Sequence, residues 1–207
     1  MTSTKTLGVL CAGAALLGAA SGLYLAFIDP AVASDRWSYP QSPTAFAWTQ
    51  SWFVVQHIPL ILGLVAATPA IGASRVGRIG WFVGVAGMVI LTVNEALAIL
   101  PRNDGTDSSL VGAIEGIYGI GTLLIAVGLM IGGAAAVRAR LWTKAEAWLL
   151  FALGAWLLVP TLPALFLSFL GARLTITGWM LLFALFGWVL MRKDSLVTVG
   201  HPGGRLA

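Results

Sequence analysis

Hydrophobic residues form six long runs along the chain, and short stretches with prolines, glycines and charges separate them. Each run is close to the roughly 20 residues that a helix needs to cross the hydrocarbon core of a bilayer. We therefore predict six membrane-spanning helices, at about 7–28, 50–71, 79–100, 109–136, 145–170 and 174–191. The pattern indicates an all-α fold in which residues 1–207 form a single polytopic transmembrane helix bundle.

The composition supports a membrane domain and argues against a soluble one. Hydrophobic residues make up 58% of the chain and charged residues 10%, whereas a soluble domain carries roughly 25% charged residues. The 25 glycines suit helices that approach closely in lipid. Since no basic stripe lies on a soluble face, we expect no nucleic-acid partner. The single cysteine, Cys11, has no cysteine to pair with, and we expect it to be a packing residue.

The distribution of Lys and Arg predicts the orientation of the bundle. Three of these residues, Arg36, Arg102 and Arg173, fall at one set of helix ends. The other ends hold nine: Lys5, Arg75, Arg78, Arg138, Arg140, Lys144, Arg192, Lys193 and Arg205. Because cytoplasmic loops carry an excess of Lys and Arg, we expect both termini to be cytoplasmic in a multi-pass plasma-membrane protein. Residues 29–49 would then be an exterior loop and residues 192–207 a cytoplasmic tail.

The first apolar run could also belong to a signal peptide. Lys5 precedes a run that is longer than the usual 7–15-residue core of a signal peptide, which favours a retained helix. Ala31-Val32-Ala33 resembles a cleavage site, so cleavage remains the alternative.

The exterior loop is rich in aromatic residues, among them Trp37 and Tyr39, with Trp48 and Trp52 following. Tryptophan and tyrosine commonly form a belt at the level of the lipid head groups. The other interpretation is a loop that folds back as a lid over something between the helices.

Polar side chains inside the predicted second, third and fourth helices are the candidates for function, because such groups are costly in hydrocarbon. They are Gln56, His57, Asn94, Glu95, Glu115 and Tyr118. With a rise of 1.5 Å per residue, His57, Glu95 and Glu115 each lie roughly 9–10 Å below the exterior helix ends. We therefore expect these three to share one layer in the outer leaflet, with Thr161, between Pro160 and Pro163, near the same level.

This layer favours a polar pocket that binds a lipid-like or isoprenoid small molecule and acts on it by acid–base chemistry, as an isomerase, cyclase or lyase. Glu95 would be the acid, His57 the base or the group that orients it, and Glu115 would assist. The predicted substrate-binding residues are Asn94, Gln56, Tyr118, Trp52, Trp156 and Thr161. The expected partners are membrane lipid and a hydrophobic small molecule, with no cofactor.

Three alternatives remain open at this stage. The same groups could serve a proton-coupled transporter, which would act as a homodimer because six helices leave little room for a path. His57, Glu95 and Glu115 could ligate a divalent metal, although no paired spacing supports this. The chain could also be an accessory or scaffold subunit in which a His57–Glu95 pair only fixes helix packing.

Several short segments resemble multi-pass integral membrane proteins of high-GC actinobacteria whose activity is unknown. They are Trp37-Ser38-Tyr39-Pro40, Gln56-His57, and Arg138-Ala139-Arg140-Leu141 leading into Ala147-Trp148. The resemblance implies a fold and no activity.

Overall fold

Six long helices account for most of the computed structural model, which describes residues 3–193. They are α1 (Thr4–Phe27), α2 (Pro43–Ala66), α3 (Arg75–Leu97), α4 (Ser109–Ala139), α5 (Lys144–Leu167) and α6 (Phe169–Met191). Each is long and apolar enough to cross a membrane. The predicted all-α bundle with six candidate spans is therefore confirmed, and within residues 3–193 there is no strand. The tail predicted from residue 194 onwards lies outside the described residues.

Short polar side chains set where most of the helices begin. Ser3, Ser42, Ser74, Thr143 and Ser168 each accept a hydrogen bond from the backbone N–H three residues later. Such a cap satisfies one of the amide groups that the first turn leaves without an intrahelical partner. Ser42 is followed by Pro43, whose fixed φ suits the first helical position. Because of these caps, α2 begins 50 − 43 = 7 residues before the predicted start and α6 begins 174 − 169 = 5 residues before it.

The helices close into a ring in which each one packs on its neighbours along the chain, and α6 returns to α1. The closest pairs are α1 with α6 and α3 with α4. Tryptophan N–H groups tie neighbouring helices to one another: Trp52 on α2 donates to Ser21 Oγ, Trp81 on α3 to the Leu64 carbonyl, and Trp179 on α6 to the Leu153 carbonyl. A π turn at Leu157–Thr161, which contains Pro160, interrupts α5.

Glycines permit the close approach of α3 and α4. A Cβ atom on Gly128 would overlap the backbone nitrogen of Gly84, and one on Gly87 would lie 2.7 Å from the backbone nitrogen of Ile125. Small residues at such crossings allow backbone contact in lipid, where no hydrophobic effect drives the helices together. The α3–α4 pair therefore depends on the absence of side chains at these positions.

Gly128→Ala is expected to destabilise the bundle by about 1–3 kcal/mol, because the added methyl group forces the α3 backbone to move. The matched control is Gly119→Ala on the same helix, where a Cβ atom would meet nothing within 4 Å. Alanine is the better helix former, so the control should be neutral or slightly stabilising. Thermal unfolding in detergent measures both, and equal stability of the two variants would show that the crossing tolerates a side chain.

The two ends of the bundle differ in charge. The end that holds residues 3 and 193 is here called the basic end. It carries eight of the eleven Lys and Arg residues that the structure describes: Lys5, Arg75, Arg78, Arg138, Arg140, Lys144, Arg192 and Lys193. At this end Lys193 Nζ lies 2.7 Å from a Glu146 carboxylate oxygen and so ties α6 to α5. The opposite end holds the loop between α1 and α2 and the loop between α3 and α4.

The loop between α1 and α2 folds back over the helix ends. The Trp37 amide donates to the Asp104 carbonyl at 3.1 Å, and the Thr106 amide donates to the Asp35 carbonyl at 2.8 Å. The Trp37 indole N–H donates to the carbonyl of Ala98 at 2.9 Å. The loop therefore folds back, as one of the two interpretations predicts, and the aromatic belt at the head groups stays a prediction. We call residues 29–42 the lid and this end of the molecule the lid end.

Candidate functional site

A cluster of polar side chains from four helices lies below the lid. The Tyr118 hydroxyl on α4 donates a 2.8 Å hydrogen bond to the Glu95 carboxylate on α3. The Gln50 side chain on α2 lies beside the same hydroxyl, and the Arg173 guanidinium on α6 is within Coulombic range of both Glu95 and Tyr118. Gln50 and Glu95 are 7% and 8% exposed, so both are buried. We call these four residues the polar cluster.

Arg173 lies near Glu95 without pairing with it directly. The two groups are within Coulombic range, yet no direct ion pair joins them. The guanidinium carbon instead lies 4.9 Å from the centre of the Phe169 ring. Within residues 3–193 the guanidinium makes no hydrogen bond at contact distance, although it carries five N–H donors. It is therefore a partly buried cation whose donors no acceptor in the described part of the chain uses.

The lid reaches the polar cluster from two sides. Trp37 packs edge-on against Phe46 at 6.1 Å, in an apolar group that also includes Tyr118. Tyr39 packs edge-on against Phe169 at 5.2 Å, and Phe169 in turn stacks on Arg173. Ser38 lies between these two aromatic residues, is 1% exposed, and has a hydroxyl oxygen with no hydrogen-bond partner. The lid therefore covers part of the cluster, in which Tyr118 and Arg173 keep an intermediate exposure.

His57 lies much deeper than the polar cluster. The hydrogen bond from Trp81 to the Leu64 carbonyl fixes the antiparallel register of α2 and α3, which puts Gln50 level with Glu95. His57 is 57 − 50 = 7 residues further along α2, roughly 10 Å deeper. It is buried, and its Nδ1 has no hydrogen-bond partner within residues 3–193. The predicted common layer of His57 and Glu95 is thus not formed, because α2 begins at Pro43 rather than at residue 50.

Glu115 does not join the cluster either. The neighbouring Ile114 is buried, and its carbonyl accepts a 3.0 Å hydrogen bond from the Asn94 amide. One residue further along a helix is a rotation of about 100°, and Glu115 is accordingly exposed on the outer face of α4. Of the three residues predicted to be catalytic, the structure brings Glu95 alone into the polar cluster.

The residues predicted to bind substrate occupy different places. Tyr118 is in the polar cluster, whereas four others make contacts between helices: Asn94 with Ile114, Gln56 Nε2 with Met180 Sδ at 3.1 Å, Trp52 with Ser21, and Trp156 with the Thr175 carbonyl. Thr161 is buried in the π turn of α5, and its hydroxyl has no partner. These five side chains lie within the helix packing, and their role in binding stays a prediction.

Two members of the cluster, Gln50 and Arg173, were not among the predicted site residues. The sequence predicts an exterior position for Arg173, because the predicted apolar run of the sixth helix begins at residue 174. The signal that would have placed it inside a helix is Ser168, which caps α6 and accepts a hydrogen bond from Gly171 N at 3.0 Å. Gln50 stood at the predicted start of the second helix, and the register of α2 and α3 was needed to find it.

The chemistry available to the cluster is that of hydrogen bonding, charge and proton exchange. Within residues 3–193 no three His, Cys, Asp or Glu side chains come together in a way that could hold a metal ion. His57, Glu95 and Glu115 lie at three separate places, so these three side chains cannot bind one metal ion together. Two grooves, one lined by Arg75, Arg78 and Phe82 and the other by Arg140, Trp142 and Lys144, lie at the basic end and not at the polar cluster.

Comparisons of the chain with protein-family models, with curated proteins and with solved structures found no match. The fold and the composition define a multi-pass membrane protein with six candidate spans.

Proposed function

We propose that this chain binds a hydrophobic, lipid-like molecule whose head group offers an oxygen acceptor to Arg173, beside Tyr118 and Glu95. The observation that carries the proposal is the Arg173 guanidinium, which is partly buried beside the Phe169 ring on α6 and donates to no acceptor among residues 3–193. Ionisable groups within a membrane domain commonly mark binding sites or pathways. A carbonyl, carboxylate or phosphate oxygen would take the free donors of this guanidinium.

The surroundings of the cluster support an apolar body for the bound molecule. Trp37, Phe46, Tyr39 and Phe169 form an aromatic shell around it, and the helices that carry it are long enough to span lipid. Binding sites of this kind are mostly apolar, with a few polar groups that fix the orientation of the ligand. A molecule that enters from the membrane would need the lid, or the adjoining part of α6, to move.

Proton exchange is the reaction type that this cluster favours. Glu95 would give a proton to the bound molecule or take one from it, and the hydroxyl of Tyr118 would stabilise the carboxylate form. An isomerase-type reaction on an isoprenoid or similar substrate fits this chemistry. His57, roughly 10 Å deeper, has no part in this step.

The proposed orientation puts the lid end outside the cell and both termini in the cytoplasm of a plasma-membrane protein. The basic end carries eight basic residues, whereas the loops of the lid end carry two, Arg36 and Arg102. Arg173 is not counted among the loop residues, because it lies within α6. Since Arg173 is not a loop residue, the excess of Lys and Arg at the basic end is larger than the sequence alone predicts, and this excess supports the proposed orientation.

Photoaffinity labelling tests the binding proposal. The probe is a long-chain fatty acid with a diazirine in its chain, and the control probe is the alkyl amine of the same length. We expect the acid to label peptides at the lid end of α2, α3 and α6, and excess unlabelled acid to suppress this labelling. The amine should label less, since Arg173 repels it. Labelling spread evenly over the outer surfaces of the bundle, or stronger labelling by the amine, would contradict the proposal.

A further inference from the structure

The outer surface of α3 carries a groove at the basic end, far from the polar cluster. Its volume is about 520 Å³, with Arg75 and Arg78 at one end and Ile79, Phe82, Val83 and Ala86 along the helix. Ile79 and Phe82 are 57% and 49% exposed, so the groove has an apolar wall that no other helix covers. The groove thus combines two cations with an open apolar surface.

Arg78 is held in place rather than free to move. Its Nε donates a 2.9 Å hydrogen bond to the Gly72 carbonyl, which leaves the two terminal nitrogens of the guanidinium available. Gly72 has φ +69°, a conformation that favours glycine, and a Cβ atom there would lie 2.8 Å from the Ala139 side chain. The turn before α3 therefore fixes the carbonyl that orients Arg78. A guanidinium held in this way suits bidentate contact with a phosphate group.

The length of the groove matches one leaflet of a bilayer. From Arg75 to Ala86 is 86 − 75 = 11 residues, or roughly 16 Å along the helix axis. Half of the hydrocarbon core is about 15 Å thick. The arginines would thus lie at the level of the head groups while the apolar wall follows an acyl chain towards the middle of the membrane.

From this arrangement we infer that the groove is a binding site for an anionic phospholipid, with its phosphate on Arg75 and Arg78 and one acyl chain along Ile79, Phe82 and Ala86. Among the described residues that line the groove there is no carboxylate, so none of them offsets the attraction for an anion. The exposed apolar wall on a membrane-spanning helix selects a lipid over a soluble phosphate. Basic pockets at the ends of transmembrane helices commonly bind anionic head groups. This inference does not depend on the function proposed for the lid end.

Native mass spectrometry of the full chain tests the inference, with phosphatidylglycerol and phosphatidylcholine of identical acyl chains as probes. We expect phosphatidylglycerol to bind at least 10-fold more tightly than phosphatidylcholine. The double variant R75Q/R78Q should lose this preference. The matched control is R138Q, which removes an exposed arginine at the same end but outside the groove and should keep the preference within 2-fold.

A second variant distinguishes a lipid whose acyl chain lies in the groove from a lipid that is only attracted to a positively charged surface. Ala86→Phe keeps both arginines but fills the apolar part of the groove, and it should weaken phosphatidylglycerol binding several-fold. All of these positions are exposed, so the variants should unfold at the temperature of the parent protein, which a thermal melt verifies. Equal binding by R75Q/R78Q and R138Q would overturn the site. Undiminished binding by Ala86→Phe would overturn the seating of the acyl chain.

Discussion

Replacing Trp37 by alanine is expected to open the lid about 100-fold more often than in the parent protein. The change removes the edge-on contact with Phe46 and the 2.9 Å hydrogen bond to the Ala98 carbonyl. Removing a large aromatic side chain from a core costs about 3–5 kcal/mol, and Trp37 is only partly buried, so about 2–3 kcal/mol is a reasonable expectation here. Since Trp37 makes these contacts only while the lid is packed over the helix ends, the lost free energy destabilises the closed state of the lid.

A cysteine at position 38 reports the opening, because Ser38 is 1% exposed in the closed lid. The background is Cys11→Ala, which removes the single native thiol. Maleimide labelling of Ser38→Cys should be slow with Trp37 present and about 100-fold faster in Trp37→Ala. The control is Ser34→Cys, an exposed position in the same lid, which should react quickly in both backgrounds. A Ser38→Cys rate that Trp37→Ala leaves unchanged would mean that the lid does not depend on this contact.

Glu95→Gln should have two effects of opposite sign. It leaves the partly buried Arg173 cation without the carboxylate in its Coulombic range, and leaving such a charge uncompensated costs up to about 3 kcal/mol of stability. It also removes the negative charge that repels an anionic ligand, so a long-chain fatty acid should bind several-fold more tightly. Thermal unfolding measures the first effect, and equilibrium binding of the fatty acid measures the second.

Glu115→Gln is the matched control, since it makes the same change one turn away from Tyr118 on the exposed face of α4. It should change the unfolding temperature and the fatty-acid affinity very little. If both glutamine variants had the same unfolding temperature and the same fatty-acid affinity, Glu95 would contribute no more to stability or binding than an exposed glutamate does. A stability loss in Glu95→Gln without any change in affinity would indicate that the cluster serves helix packing alone.

The fold could be predicted from the sequence because crossing a membrane imposes simple requirements. Six apolar runs of the right length, separated by Pro, Gly and charged residues, are sufficient to predict six helices. Hydropathy does not, however, mark where a helix begins. α2 starts at Pro43, within a stretch that contains Ser42, Thr44 and Gln50 and reads as a polar loop. The cap at Ser42 outweighs that polarity.

Errors in the predicted starts of two helices, α2 and α6, account for much of the difference between the predicted site and the observed one. A seven-residue error in the start of α2 displaces His57 by two helical turns, which is enough to put it in the wrong layer. A five-residue error in the start of α6 made Arg173 a loop residue rather than a member of the polar cluster. Errors at helix ends therefore matter more for a site within a membrane than for the fold.

The direction of a side chain around its helix could not be predicted either. In most soluble helices a polar face and an apolar face reveal which residues point inwards. In α4 lipid replaces water on the outer face, so both faces are apolar, and the sequence does not separate Glu115 from Tyr118. The structure does, through the hydrogen bonds that Asn94 and Glu95 make with this helix.

The most direct test of the binding proposal is the dissociation constant of the long-chain fatty acid for Arg173→Gln. A hydrogen bond to a charged group contributes about 1.5–3 kcal/mol, so the loss of Arg173 should weaken binding by about 10- to 100-fold. The control is Arg102→Gln, which removes an arginine from a loop at the same end of the molecule and should leave the affinity within 2-fold. If Arg173→Gln binds the fatty acid as tightly as Arg102→Gln does, Arg173 does not hold a ligand head group.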